Sequence, residues 1–489
     1  AMGAGTAFLA LQQARLAATV RTAPSLGSAA SACARRSSRT AATRATEAST
    51  YPSPASLARG GCAGFALLGS LRQGSRRRRR PPLSDSALRR RAGFGGDGQA
   101  RGLFPAGDKL RSGMLKVSDG FEIYYEEHGS ADGVPAVFLH GGPGAGCSAR
   151  TAQFFDPKAF RVVLFDQRGC GKSKRPEVQG ATSAQLDGNT TWRLVEDMEL
   201  LREHLGISRW VVAGESWGSL LALAYASLHP SRVLGMALGA VCLFREAELE
   251  YFIGPCEAGA LCPDAWKRLT DWLPWAATSQ ASGRAIAAAF RDAVLGLDRR
   301  LSPRDAVSRW LAGAEALSAA WPREGFQLAA CEPQASPGRQ SELKAEAPTE
   351  AWPIADQWLA GKALLAMHYV AERGFLEEGL LEAASTFRFP MDLIHGRHDP
   401  VCPVANARDL ASANPGFARL HLTDSGHSLL DCWNIDAFVR ATDALAAEVK
   451  VAEAKVGMAG GREAHFYNIL KNIIKIDSFF KIVFLKNII

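Results

Sequence analysis

A chain of 489 residues with 47% apolar and 22% charged residues can build one large α/β body with additions, and its composition is that of a globular protein. No run approaches eighteen uninterrupted apolar residues, so no membrane-spanning helix is expected. The formal net charge of +8 suggests an acidic partner until it is located. Residues 1–84 hold thirteen arginines, no lysine and one acid, Glu47, which leaves residues 85–489 at −4 and argues against a nucleic-acid partner.

The first stretch, residues 1–110, is rich in Ala, Ser, Arg and Gly and contains the run Arg76 to Arg80 before Pro81-Pro82. That is the composition of an organelle transit peptide, too poor in apolar surface to offset its ordering entropy. A disordered leader is expected, with a plastid or mitochondrion as destination and a cytoplasmic protein as the alternative. The ten cysteines form no C-x-x-C pair, a scattered usage that fits free thiols; a Cys256–Cys262 bridge is the exception to watch.

From about Met114 the pattern alternates strand and helix, which predicts a mostly parallel sheet covered by helices. Strands are expected at 137–139, 161–165, 210–213 and 233–240. A helix capped by Asn189 or Thr190 carries Leu194, Met198, Leu201 and Leu205 at helical spacing. Residues 241–385 break the rhythm, read as helices, and hold Trp266, Trp272, Trp275, Trp310, Trp321, Trp352 and Trp358. Inserted late in a parallel sheet, they would sit over the C-terminal strand ends as a cap, with most of the tryptophans in its core and a few lining a pocket. Within them 332–350 reads as a polar surface loop. Two more strands, 391–394 and 418–422, return the chain to a second core segment, 386–450. The stretch 451–489 turns abruptly to Ile, Asn, Lys and Phe after Ala464. It reads as a tail outside the fold, although Ile469, Ile473, Ile476, Phe480 and Phe484 would share one helical stripe.

Three motifs carry chemistry. Gly214-Glu215-Ser216-Trp217-Gly218 matches G-x-S-x-G between a strand and a helix, the setting in which a serine is held exposed on a sharp turn. An acid and a histidine must follow in that order. Asp399 and His427 each stand on a loop after a strand, whereas the rival Asp392 lies within a strand and Asp424 is too near the histidine to reach behind its ring. His140-Gly141-Gly142-Pro143-Gly144 follows the strand 137–139 and supplies backbone N–H groups for a developing oxyanion. The donors are expected from Trp217 and Gly142, with Gly141 as fallback. No metal or other cofactor is expected, since no His/Cys/Asp cluster has ligand spacing, and Gly169-Cys170-Gly171 lacks the spacing of a phosphate loop.

These blocks together resemble the proline iminopeptidase family of serine α/β-hydrolases. The likeness rests on HGGPGAG at 140–146, DQRGCGKS at 166–173, NTTWRLVEDMELLREHLGI at 189–207, GESWG at 214–218, GRHDPVCP at 396–403 and SGHS at 425–428. It covers roughly residues 114–446. It implies an α/β-hydrolase fold with a helical cap, release of N-terminal proline from short peptides, and Ser216, Asp399 and His427 as triad. The cap departs from the family pattern, in which glutamates meet the substrate's amino group. Ala366 stands where one such glutamate would be, and Glu315 fits the other only after a one-residue shift. An esterase or amidase of altered specificity is therefore the first alternative, and a non-catalytic binding protein on the same fold the second.

Overall fold

The computed structural model describes residues 100–175, 186–276, 278, 281–319, 354–376 and 379–454. The arginine-rich leader up to residue 99, the segment 332–350, Trp321, Trp352 and the tail from 455 lie outside the described residues. The body nevertheless begins before residue 110. Leu103 and Phe104 pack on the core, and the Arg101 amide donates to Asp436 Oδ1 at 2.8 Å.

Eight strands form one sheet in the order β1-β2-β4-β3-β5-β6-β7-β8. They are β1 (Lys109–Lys116), β2 (Glu122–Gly129), β3 (Val134–Leu139), β4 (Phe160–Phe165), β5 (Trp210–Glu215), β6 (Val233–Gly239), β7 (Met391–Gly396) and β8 (Ala418–Thr423). The pairs β1–β2 and β2–β4 are antiparallel; every other pair is parallel. The central strands are mainly apolar because both faces are covered. In β3, Val137 and Leu139 join the core on one face, while Ala136 and Phe138 join the core on the other.

The first face carries α1 (Thr191–His204) and α2 (Trp217–Leu228). Thr190 caps α1, its hydroxyl accepting from the Arg193 amide at 3.3 Å, as Thr at this position should. The opposite core takes Phe438, Val439 and Leu445 from the helix at 432–454.

Between β6 and β7 the chain forms α3 (Glu246–Ile253), α4 (Ala258–Leu261), α5 (Pro263–Thr270), α6 (Gly283–Val294), α7 (Pro303–Ala319), α8 (Ile354–Ala371) and α9 (Leu380–Ser385). Trp272 and Trp310 meet Phe290 edge-on at centroid distances of 5.0 and 5.5 Å, so they build the interior of this helical insertion. The insertion is tied down where the Thr191 hydroxyl donates to the Gly374 carbonyl and the Trp192 indole N–H to that of Phe375. After β7 comes α10 (Ala405–Ala413).

One buried ion pair locks the loop after β4 to α1. Arg168 grips Asp197 with two parallel hydrogen bonds of 2.7 and 2.6 Å, and both side chains are wholly buried. Asp197→Ala would leave the buried guanidinium only its bonds to Asp119, Ser118 and the Gly188 carbonyl. It is expected to cost about 3–5 kcal/mol in denaturant unfolding, more than a joint replacement of both partners by apolar residues.

Among the described residues no helix is long and apolar enough to cross a membrane. Cys256 and Cys262 are free thiols.

Candidate active site

Ser216 sits on the turn between β5 and α2, with φ 52° and ψ −123°. A non-glycine residue held there costs on the order of 1–3 kcal/mol, so its surroundings must impose it. They do so by close approach. A Cβ on Gly214 would lie 2.6 Å from the Gly218 carbonyl oxygen, and one on Gly218 would collide with the Leu139 carbonyl. The Ser216 amide donates to the Gly239 carbonyl at 3.0 Å, fastening the turn to the end of β6.

The glycine loop after β3 lies against this turn. A Cβ on Gly141 would stand 3.3 Å from the Ser216 Cβ. Gly142 has φ +120°, a conformation that favours glycine, and the Ala145 amide closes the loop onto the Gly141 carbonyl at 3.2 Å. Trp217 opens α2, so its amide is one of the first-turn donors that have no acceptor within their own helix. Trp217, Gly142 and Gly141 are thus brought to one side of Ser216.

His140 holds the loop in place. Its Nε2 accepts from the Gln167 amide at 3.2 Å, which leaves Nδ1 to donate to the Gly141 carbonyl at 2.9 Å. The Gln167 side chain donates to the His140 carbonyl at 3.0 Å and accepts from the Trp217 indole N–H at 2.9 Å. Burial lowers the His140 pKa and keeps it neutral in this role. Gln167 therefore ties the glycine loop to Trp217. In the sequence Gln167 shows only as part of the DQRGCGKS block that carries the family resemblance, and no role follows from that.

Asp399 and His427 come together from the loops after β7 and β8. His427 Nδ1 lies 2.9 Å from each carboxylate oxygen of Asp399. The Asp399 Oδ1 also accepts from the amides of Val401 and Cys402, both at 2.8 Å. Burial disfavours its charge, but His427, these amides and nearby His395 outweigh burial and lower its pKa. For His427 the balance runs the other way. Burial opposes a positive charge, yet the charge and hydrogen bond of Asp399, with Glu215 and Asp431 adding, hold the imidazole pKa above its ordinary value.

The rival carboxylates are engaged elsewhere. Asp392 is buried in β7 and paired with Arg419 at 2.6 Å and His421 at 2.7 Å. Asp424 is exposed and faces Arg397 at 3.5 Å. Glu315 is exposed on α7, near Gly313, which packs on Leu269.

The helical insertion covers the glycine loop and Trp217 through α8. Leu365 meets the loop at Gly144, and the Tyr369 ring lies 4.5 Å from that of Trp217, centroid to centroid. Ala366 follows Leu365 in the same helix and is partly exposed.

Asp399, Cys402 and His427 each offer a metal-ligating atom within 4.8 Å of one another. The carboxylate is committed to the imidazole and two amides. A hydrogen bond with Cys242, together with burial, pushes the Cys402 thiol well above its ordinary pKa, away from the thiolate a metal needs. The group is therefore better suited to proton transfer than to holding an ion.

The alpha/beta hydrolase fold family matches residues 135–431. The proline iminopeptidase of Xylella fastidiosa strain Temecula1 is 38% identical over 346 residues, 70% of this chain and 99% of its own. That of Arabidopsis thaliana is 36% identical over 67% of this chain and 78% of its own. That of Neisseria meningitidis serogroup B is 34% identical over 68% of this chain and 96% of its own.

Proposed function

The chain belongs to the proline iminopeptidase family of α/β-hydrolases, and on that premise we propose that it hydrolyses the bond after an N-terminal proline through an acyl-enzyme on Ser216. In this reading His427 takes the Ser216 proton as Oγ attacks the scissile carbonyl, then returns it to the leaving amine. Asp399 fixes the imidazole tautomer with its proton on Nδ1 and stabilises the imidazolium. The amides of Trp217 and Gly142, with Gly141 beside them, receive the oxyanion. Water then attacks the acyl carbon, with His427 again as base, and frees the product. The observation that carries most weight is the 2.9 Å bond between His427 Nδ1 and a fully buried Asp399, placed after Ser216 in chain order. No metal or cofactor is needed for these steps.

The choice of substrate is tested by comparing Pro-p-nitroanilide, N-acetyl-Pro-p-nitroanilide and p-nitrophenyl acetate. Turnover of the first, with rejection of the blocked anilide, is the expected result. A second reading, an esterase or amidase acting on neutral or blocked acyl groups, is favoured by Ala366. It stands in α8 at the position where the family pattern has a glutamate for the substrate's ammonium group. Preference for the ester or the blocked anilide would select it.

A further inference from the structure

The mechanism above makes no use of Glu215, an acid on the nucleophile's own turn. Its position is fixed by the sheet. Glu215 is the last residue of β5 and stands in register with Gly239 at the end of β6. Gly239 has no side chain, and the buried Leu429 occupies the space where one would be. Leu429 lies two residues past His427, so the strand ends that carry Glu215 also seat the histidine's loop. On its other flank, a Cβ on Gly141 would lie 3.7 Å from the Glu215 Cγ. The partly exposed side chain thus lies between the oxyanion loop and the histidine loop.

We propose that Glu215 is a positioning residue of this centre, a second carboxylate that acts with Asp399 to stabilise positive charge on His427. The proposal rests on His427 being the base for Ser216. When the Ser216 O–H bond breaks and Oγ bonds to the acyl carbon, the proton moves to His427 and a full positive charge appears on a largely enclosed ring. A carboxylate held beside the histidine's loop stabilises that charge only in the state where it exists, which lowers the barrier without tightening ground-state binding. Four titratable neighbours act on the imidazole: Asp399, Glu215 and Asp431 favour the charge, and His395 opposes it. Burial raises the pKa of Glu215, and His427 and the Leu429 amide pull it back, so the two groups favour each other's charged forms.

Glu215→Gln keeps the shape and an acceptor for the Leu429 amide while removing the charge. Histidine-labelled NMR of the full chain reads the His427 titration directly and needs no turnover. The expected result is a lower His427 midpoint in Glu215→Gln, an intermediate one in Glu215→Asp, and an unchanged thermal midpoint. In kinetics, kcat falls about tenfold with KM little changed. The acid limb of kcat/KM moves to lower pH, a movement that a purely structural loss would not produce. An unchanged His427 titration in folded Glu215→Gln overturns the proposal. Failure of a fluorophosphonate to label Ser216 in the unsubstituted protein would instead overturn the reading of Ser216, and the titration would still decide the role of Glu215.

Discussion

Ser216→Ala is expected to remove turnover of every substrate, by on the order of 10⁶-fold in kcat, and to abolish labelling by a fluorophosphonate. Nothing else in the site can replace the hydroxyl, because the turn that exposes it is built from close backbone contacts at Gly214 and Gly218. Alanine keeps the Cβ that the turn already accommodates, so the protein should unfold at the same temperature as the unsubstituted chain. Substantial activity left in purified Ser216→Ala would mean that the chemistry lies elsewhere.

Asp399→Asn is expected to lower kcat by about 10⁴-fold while the fold persists. The substitution is small in volume but reverses the logic of the pair. The carboxylate accepts from His427 Nδ1 and from two backbone amides. An amide NH₂ turned toward the ring would favour the opposite tautomer, with the proton on Nε2, where it cannot accept from Ser216. The pH profile adds a second readout. Asp399 and its neighbours hold the His427 pKa up, so the unsubstituted enzyme should lose kcat/KM as pH falls through a midpoint above the ordinary histidine value. In Asp399→Asn that midpoint should move to lower pH, since the largest source of negative charge on the ring is gone.

The parallel core of this fold was legible because its inner strands are buried on both faces and read as short, mainly apolar runs, and the edge strand β8 keeps a shorter run of that kind. The strands β3 to β8 stand where those runs lie. The first two strands were not legible, for a physical reason. β1 is largely exposed at the sheet's edge, and β2 carries Glu126 and Glu127, which look like surface residues. Both are in fact buried, held by Lys109 and by Arg111 and Arg161. No local pattern announces a buried acid whose partners come from other strands. The same limit explains the site. Ser216, Asp399, His427 and the glycine loop each follow a strand, so local sequence locates them. Gln167 and Glu215 matter through contacts 27 residues or more away in the chain, such as Gln167 with His140, and only the folded sheet brings those together.

The helical insertion has a wider consequence. It lies in the connection between β6 and β7, which are parallel neighbours, with Gly239 beside Ile394. Parallel neighbours always need a long crossover, and the entropy of closing one rises by only about 0.6 kcal/mol for each doubling of its length. Descent can therefore enlarge, trim or rewrite this connection with little effect on the sheet. The residues proposed to break the bond stand outside it, at the ends of β3, β5, β7 and β8, and the helix that covers Gly144 and Trp217 stands within it. Reactivity and taste can thus evolve on separate schedules, and a lineage can change its diet without relearning its chemistry.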